Sequence, residues 1–350
     1  QRLLTEIGVI TGHDAAGRPQ LAADLLCHAP EERLFYRGKW HLELVPRALL
    51  APAEHDALAR FGAHIDELME ARGNDGLEAF AIPRSLSSAD PRYRQLDGMT
   101  AAAWLERESY TTEFFRWYVR HGALDDFGGE LEDVSAWAML HYFAARKLDT
   151  PQLGRGSRYL VWPEGNGHLL RALVDRAEPT LRSGCLAFGV SESRDGVTVD
   201  YLDHGRRRRL DAKAAILAVP AFVARRLLRD AAPLPERASS PWVVANLHVE
   251  RPFEPNRAWD SVLYDAAGLG YVDANHQLAP SDRTVLTYFR AFGDTNVRAS
   301  REALLRKTWG DLAGDVLLDL APAHPELARQ TSRLDVMIWG HAMPRPRPGF

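Results

Sequence analysis

The sequence predicts an α/β fold, on three observations. The run Trp162 to Leu228 passes from Pro-Glu-Gly-Asn-Gly into an apolar helix, a strand, a charged hairpin and the apolar run Ala-Ala-Ile-Leu-Ala-Val-Pro, the succession of one layer of a Rossmann-like nucleotide-binding domain. Residues 46–150 carry apolar side chains at helical spacing. Residues 242–290 alternate β-branched or aromatic runs with Pro, Gly and Asp, which reads as a sheet. The last two segments together predict a discontinuous, mixed α+β second domain.

The 350 residues suit about two domains, and 46% apolar with 26% charged residues suits a protein with a large core. A formal net charge of -4 argues against nucleic acid or an anionic membrane as partner and favours a small-molecule substrate. Cys27 and Cys185 are too few for a disulfide framework or a zinc site and fit a reducing compartment, so a cytoplasmic location is expected. No apolar run approaches eighteen residues. The chain opens on Gln1 rather than Met, which leaves room for an export leader upstream.

Arg33 to Tyr36 and Trp40 to Leu44 read as two strands around Arg37-Gly38-Lys39. Pro52 opens a helix whose Leu58, Phe61, Ile65, Leu68 and Met69 form one stripe. A helix near Thr100 follows, then Thr111 to Arg120 and Ser135 to Lys147, whose seven aromatic residues read as packed core. Asp125-Asp126 and Asp203-His204 read as turns. Gly184 to Ser193 and Val197 to Leu202 are strands about an Arg-Asp-Gly turn. Arg206 to Arg209 is a solvated edge, and Ala214 to Val219 is a strand buried inside a parallel sheet. Further strands are expected at Val243 to Glu250, Ser261 to Tyr264, Tyr271 to His276, Thr284 to Arg290 and Leu334 to Trp339, with one helix over Arg301 to Leu320 and an extended tail at Pro344 to Pro348.

Gly165-Asn166-Gly167 stands between an apolar run and a helix, where glycines and free N–H groups can receive a pyrophosphate. Leu170 occupies the third glycine position of that fingerprint and Pro163 sits in the turn, which argues against direct pyrophosphate contact here. No paired carboxylates, nucleophile-elbow serine or His/Cys metal spacing stands out.

In their order, Trp162-Pro-Glu-Gly-Asn-Gly-His-Leu-Leu, Gly184 to Ser193 with Asp195-Gly-Val-Thr-Val, Ala215-Ile-Leu-Ala-Val-Pro-Ala and Trp339-Gly-His-Ala-Met-Pro resemble the flavin-containing amine oxidase and phytoene desaturase-like superfamily of FAD-dependent oxidoreductases. The resemblance runs through the whole chain and implies an FAD/NAD(P)-binding Rossmann-like domain. It places Ala187 against the adenine through its backbone and Val219-Pro220 at the turn after the nucleotide region. Pro163, Gly165, Asn166 and Gly167 come on the flavin side, and Trp339, Ala342 and Pro344 toward the isoalloxazine. The domain order it implies is a connecting segment over 1–45, helical substrate-domain residues 46–150, FAD-binding residues 151–235, substrate-domain strands over 236–335 and a return over 336–350.

The family's N-terminal glycine loop and its closing Gly-Asp segment have no counterpart in these residues, so the chain is expected to be an internal fragment, inactive alone. The strand Val-Val-Ala-Asn-Leu-His-Val at Val243 to Val249 lacks the lysine that many amine oxidases place there, and Asn246 or His248 stands as polar substitute. His276, among Tyr264, Tyr271, Asn275 and Tyr288, and His341, beside the flavin-approaching segment, complete the candidate catalytic set. The implied activity is hydride transfer from a substrate C–N or C–C bond to FAD, where the cofactor carries the chemistry and the protein positions the substrate. The alternatives are a noncatalytic remnant or binding module of the same fold, and a nicotinamide-dinucleotide oxidoreductase using the Gly165 turn.

Overall fold

Alternating burial along one long strand organises the molecule. In Trp242 to Glu250 every odd residue from Val243 to Val249 is buried, while Val244, Asn246 and His248 are half-buried, so the two faces of this strand meet different surroundings. A computed structural model describes residues 2–27, 32–146, 160–162, 165–228, 237–250, 258–276 and 282–350. The chain divides into two units, Gln1–Leu169 with Ala238–Phe350, and Leu170–Arg237.

The first unit opens with α1 (Arg2–Glu6) and the hairpin β1 (Ile10–His13) and β2 (Pro19–Leu21). β3 (Glu32–Tyr36) and β4 (Lys39–His41) turn around Arg37 and Gly38, both at positive φ (51° and 76°), as the Arg-Gly pair requires. Five helices follow: α2 (Pro52–Glu70), α3 (Pro91–Arg94), α4 (Ala101–Arg107), α5 (Glu113–Phe127) and α6 (Ala136–Ala144). α7 (Gly167–Ala177) leads into the second unit, which holds β5 (Cys185–Ser193), β6 (Gly196–Asp203), β7 (Arg206–Ala212) and α8 (Ala221–Leu227). The first unit resumes with β8 (Ser239–Glu250), β9 (Asp260–Leu263), β10 (Gly270–Asp273) and β11 (Arg283–Ala291), then α9 (Val297–Arg306), α10 (Trp309–Leu320), α11 (Leu327–Gln330) and β12 (Thr331–Pro344).

Seven strands form one sheet in the order β12-β8-β11-β10-β9-β3-β4, antiparallel throughout except for the parallel pair β3 and β9. One face packs on α10 and α11, where Ala245, Leu247, Leu286, Tyr271 and Tyr288 meet Val316, Leu320 and Leu327. The other face meets α5: Leu34 and Val262 pack on Phe114 at one end, Trp242 on Leu124 at the other. On its opposite side α5 sends Phe115, Val119 and Ala123 into the helical core, where Phe61 stands 5.1 Å from Phe115 and 5.0 Å from Phe143. Burial of each such ring contributes on the order of 2 kcal/mol, so the aromatic residues of α5 and α6 serve as core.

Both ends of α5 are held. The Glu54 carboxylate accepts from the first-turn amides of Phe114 and Phe115, both at 3.0 Å, and adds negative charge at the positive end of the helix dipole. Gly128 ends the helix at φ 60°, and its carbonyl accepts from Arg345 Nη2 at 2.7 Å.

Four expectations are corrected. Asp125-Asp126 lies in the last turn of α5, because the helix continues to the Gly128 cap. Arg301 to Leu320 is two helices; Thr308 and Asp311 form a capping box that starts α10 anew. The Pro344 to Pro348 segment is anchored, since Arg345 is 1% exposed and its five N–H donors reach Ser240, Asp133 and the carbonyls of Gly128, Phe292 and Asp294. Ala214 to Val219 pairs with no strand among the described residues, and Ile216 is 94% exposed. A strand exists only beside a hydrogen-bonding neighbour, and β5, β6 and β7 form their antiparallel sheet without it. The Arg206 to Arg209 run is the exposed edge strand that its charge predicts.

Candidate functional site

The α5 side of the seven-stranded sheet carries a polar row. Cross-strand register sets Glu32 opposite Asp260, Asp260 opposite Val272, Val272 opposite Thr287, Thr287 opposite Asn246 and Asn246 opposite Asp335. Directly opposed residues share a face, so these six side chains line one transverse strip over β3, β9, β10, β11, β8 and β12. All six are half-buried. Flanking apolar positions wall the strip on one side, with Leu34, Val262 and Phe289 on the same face.

Along the strip the chemistry is graded. Thr287 donates to Asn246 Oδ1 at 2.9 Å, fixing the amide. Asp335 is held below the usual carboxylate range by Arg333 and by His248, whose Nε2 lies 3.2 Å from it. Asp260 is the reverse case: burial, then the charges of Asp125 and Glu32, push its carboxyl well up, and Oδ1 is enclosed without a hydrogen-bond partner among the described residues. From α5, Asp125 is raised to about 6 by burial and then by Asp126, while burial and then Arg120 lower His121 to about 4. Asp126 is neutralised by Arg146 at 2.5 Å, which leaves Asp125 as the acid of that turn without an ion pair among the described residues.

The candidate residues fall at different levels. Asn246 sits in the polar row and His248 shares its face. His276 lies in the turn after β10, its amide donating to the Asp273 carbonyl at 3.2 Å, beyond the level of His248. His341 is exposed on β12 between Trp339 and Met343, where pairing with β8 is irregular. Asn246, His276 and His341 are therefore not brought together. Of the tyrosines, Tyr271 and Tyr288 face α10 rather than the row: Tyr288 donates to Asp319 at 2.8 Å, and the Tyr271 hydroxyl joins His324 at 2.7 Å and Arg33 at 2.6 Å. Trp339 is 50% exposed opposite Trp242.

Gly165, at φ 69°, turns the chain into α7, with Gly165 and Asn166 exposed and Gly167 as the first helical residue. Leu170 is exposed at the third glycine position. Pro163 lies outside the described residues. In the second unit Ala187 is exposed on β5, and Val219 and Pro220 are exposed just ahead of α8. α8 packs on β5, and a single parallel bridge joins Val190 to Leu228.

Asp125 and Asp260 were missed by sequence reasoning. Acidic residues in the last turn of a helix oppose its dipole, and that cost, placed just before a capping glycine, is the signal Asp125 offered.

No family model and no curated protein matches the sequence. Solved structures do. A double mutant of putrescine oxidase superposes with a TM-score of 0.64 at 16% identity, over 96% of this chain and 70% of that one. Cyclohexylamine oxidase from Brevibacterium oxydans matches with 0.61 at 17% identity, over 93% and 72%. A CLA-producing fatty acid isomerase from P. acnes matches with 0.59 at 13% identity, over 97% and 71%. At these identities the likeness speaks for the fold, and in fold the chain is an amine oxidase-like α/β protein.

Proposed function

We propose that this chain is the substrate-binding and adenine-contacting part of an FAD-dependent oxidoreductase that takes a hydride from a C–N or C–C bond of a small molecule. The observation that carries the reading is the half-buried polar row on the α5 side of a sheet whose fold is that of putrescine and cyclohexylamine oxidases. Such a strip offers what a hydride donor needs from protein, polar groups that orient the substrate beside apolar walls that exclude water.

The second unit suits adenine, a flat ring with apolar faces and a polar edge. β5 is an edge strand whose outer side is joined among the described residues only at Val190, so main-chain groups near Ala187 are free to meet a ring edge. Leu186 and Phe188, 64% and 39% exposed, flank them with apolar surface. In this reading Ala187, Val219 and Pro220 contact the nucleotide, the Gly165 to Gly167 turn and Trp339 lie toward the flavin, and bound FAD supplies the hydride acceptor. Asn246 orients the substrate from β8 through the amide that Thr287 holds, and β8 carries no lysine among its residues.

The test is reconstitution. Full-length protein incubated with FAD and freed of excess cofactor is expected to retain a yellow chromophore near about 450 nm. A colourless product after reconstitution supports instead the noncatalytic form of the same fold.

A further inference from the structure

The helical part of the first unit holds a cavity of about 550 Å³, a size that suits a small molecule. None of the residues that line it belongs to the seven-stranded sheet, so it is separate from the polar row.

Two kinds of surface meet there. Trp137 and His141, one turn apart on α6, both line the cavity and stack on each other at 4.9 Å with 24° between their planes. Phe80, 1% exposed, backs them at 5.4 Å from Trp137 and 6.3 Å from His141. Packed in this way, the two half-buried rings form a fixed wall against which a planar ring can lie. His141 Nε2 lies 2.8 Å from the Ala81 carbonyl, which can only accept, so that nitrogen carries the proton. Burial holds the imidazole below the usual histidine range and keeps it neutral near neutral pH.

Positive charge therefore comes from Arg84 and Arg94, which also line the cavity. Neither guanidinium makes a hydrogen bond or ion pair among the described residues, and that of Arg84 rests over the Phe350 ring at 5.2 Å. Two aspartates share the space: Asp126 is neutralised by Arg146, and Asp97 accepts from the Ser135 hydroxyl at 2.6 Å. The arginines favour a negative group whose geometry fits their N–H donors, as a carboxylate does, while the two aspartates disfavour a second charge on it.

We propose that this cavity is a small-molecule site for an aromatic carboxylate, with its ring against the Trp137 and His141 wall and its single negative charge on Arg84 and Arg94.

Calorimetric titration of the full-length protein tests it with 2-naphthoate and with 2-naphthol, which keeps the ring and drops the charge. Two exposed charge contacts together are worth about fivefold or more in affinity, so the naphthoate is expected to bind at least ~5-fold tighter than the naphthol. The double variant Arg84→Gln with Arg94→Gln is expected to bring the two probes within about twofold of each other, with the naphthol unchanged. Trp137→Leu is expected to weaken both probes by about fivefold, since both lose the ring contact. Asn246→Ala, on the sheet, is expected to leave both within about twofold of wild type. A naphthoate bound no tighter than the naphthol, a double variant that keeps the preference, or a loss in Asn246→Ala as large as in Trp137→Leu overturns the site. Where a variant fails to fold, the wild-type comparison of the two probes decides.

Discussion

Asp260 faces Glu32 across the parallel pair of β9 and β3, with the Asp125 carboxylate adding to its burden from α5. Asp260→Asn puts a permanently neutral amide where burial and the charges of Asp125 and Glu32 push the carboxyl well above the usual carboxylate range. In the absence of ligand the variant is expected to be more stable than wild type by about 1–2 kcal/mol, read as a higher midpoint in denaturant. A loss of stability instead means that Asp260 is already compensated in the fold.

Two groups on α5 make opposing contributions to the pH response. Asp125 is raised to about 6 and His121 lowered to about 4. Between about pH 4 and 6 the folded state keeps a proton on Asp125 that the unfolded state has lost, so raising the pH through this window costs stability. His121 does the opposite: below about 6.5 the unfolded chain gains a proton that the folded one refuses until about 4, so raising the pH restores stability. In Asp125→Asn the first of these slopes is lost. The variant's stability relative to wild type is expected to grow by roughly 2–3 kcal/mol from about pH 4 to 6 and to level off above. Parallel curves for the two proteins remove the assignment.

On the α10 side, His324 is 5% exposed and is lowered to about 3 by burial and then by Arg33. Its folded pKa lies below the unfolded value, so stability is lost as pH falls from about 6.5 toward 3. His324→Gln keeps a partner for the Tyr271 hydroxyl and cannot take up the proton. Its acid limb is expected to be flatter than wild type by up to about 3 kcal/mol, measured by denaturant titration between about pH 6 and 4.

Much of the fold was legible because it rests on local pattern. The β-branched run at Val243 to Glu250 specified a strand, the spacing of Leu58, Phe61 and Ile65 specified α2, and the Arg37-Gly38 pair specified its hairpin. The polar row was not legible, since it depends on register among strands as distant in sequence as Glu32 and Asp260. Asn246 was found from its own strand, whereas its partner Thr287 became visible only through pairing. Asp125-Asp126 reads as a turn because aspartate favours turns, yet packing of Leu124 on Trp242 carries the helix past it. Arg345 sits in the segment read as an extended tail, and only the tertiary structure supplies its acceptors.

That arginine joins the end of α5, the start of β8 and the loop after β11 through Gly128, Ser240 and Phe292, with Asp133 as counter-ion at 2.7 Å. Arg345→Met leaves several buried carbonyls without donors and Asp133 with the more exposed Arg347, 2.9 Å away, as its remaining cation among the described residues. A loss of about 3–5 kcal/mol is expected in chemical denaturation. A loss below about 1 kcal/mol shows the node to be dispensable.

The most direct measurement mixes the flavin-loaded full-length protein anaerobically with a panel of small-molecule C–N and C–C hydride donors and follows the absorbance near about 450 nm. The account predicts that the band bleaches with at least one donor, and that Asn246→Ala slows that bleaching while leaving the flavin bound. A flavin that stays oxidised with every saturating, demonstrably bound member of the panel contradicts it.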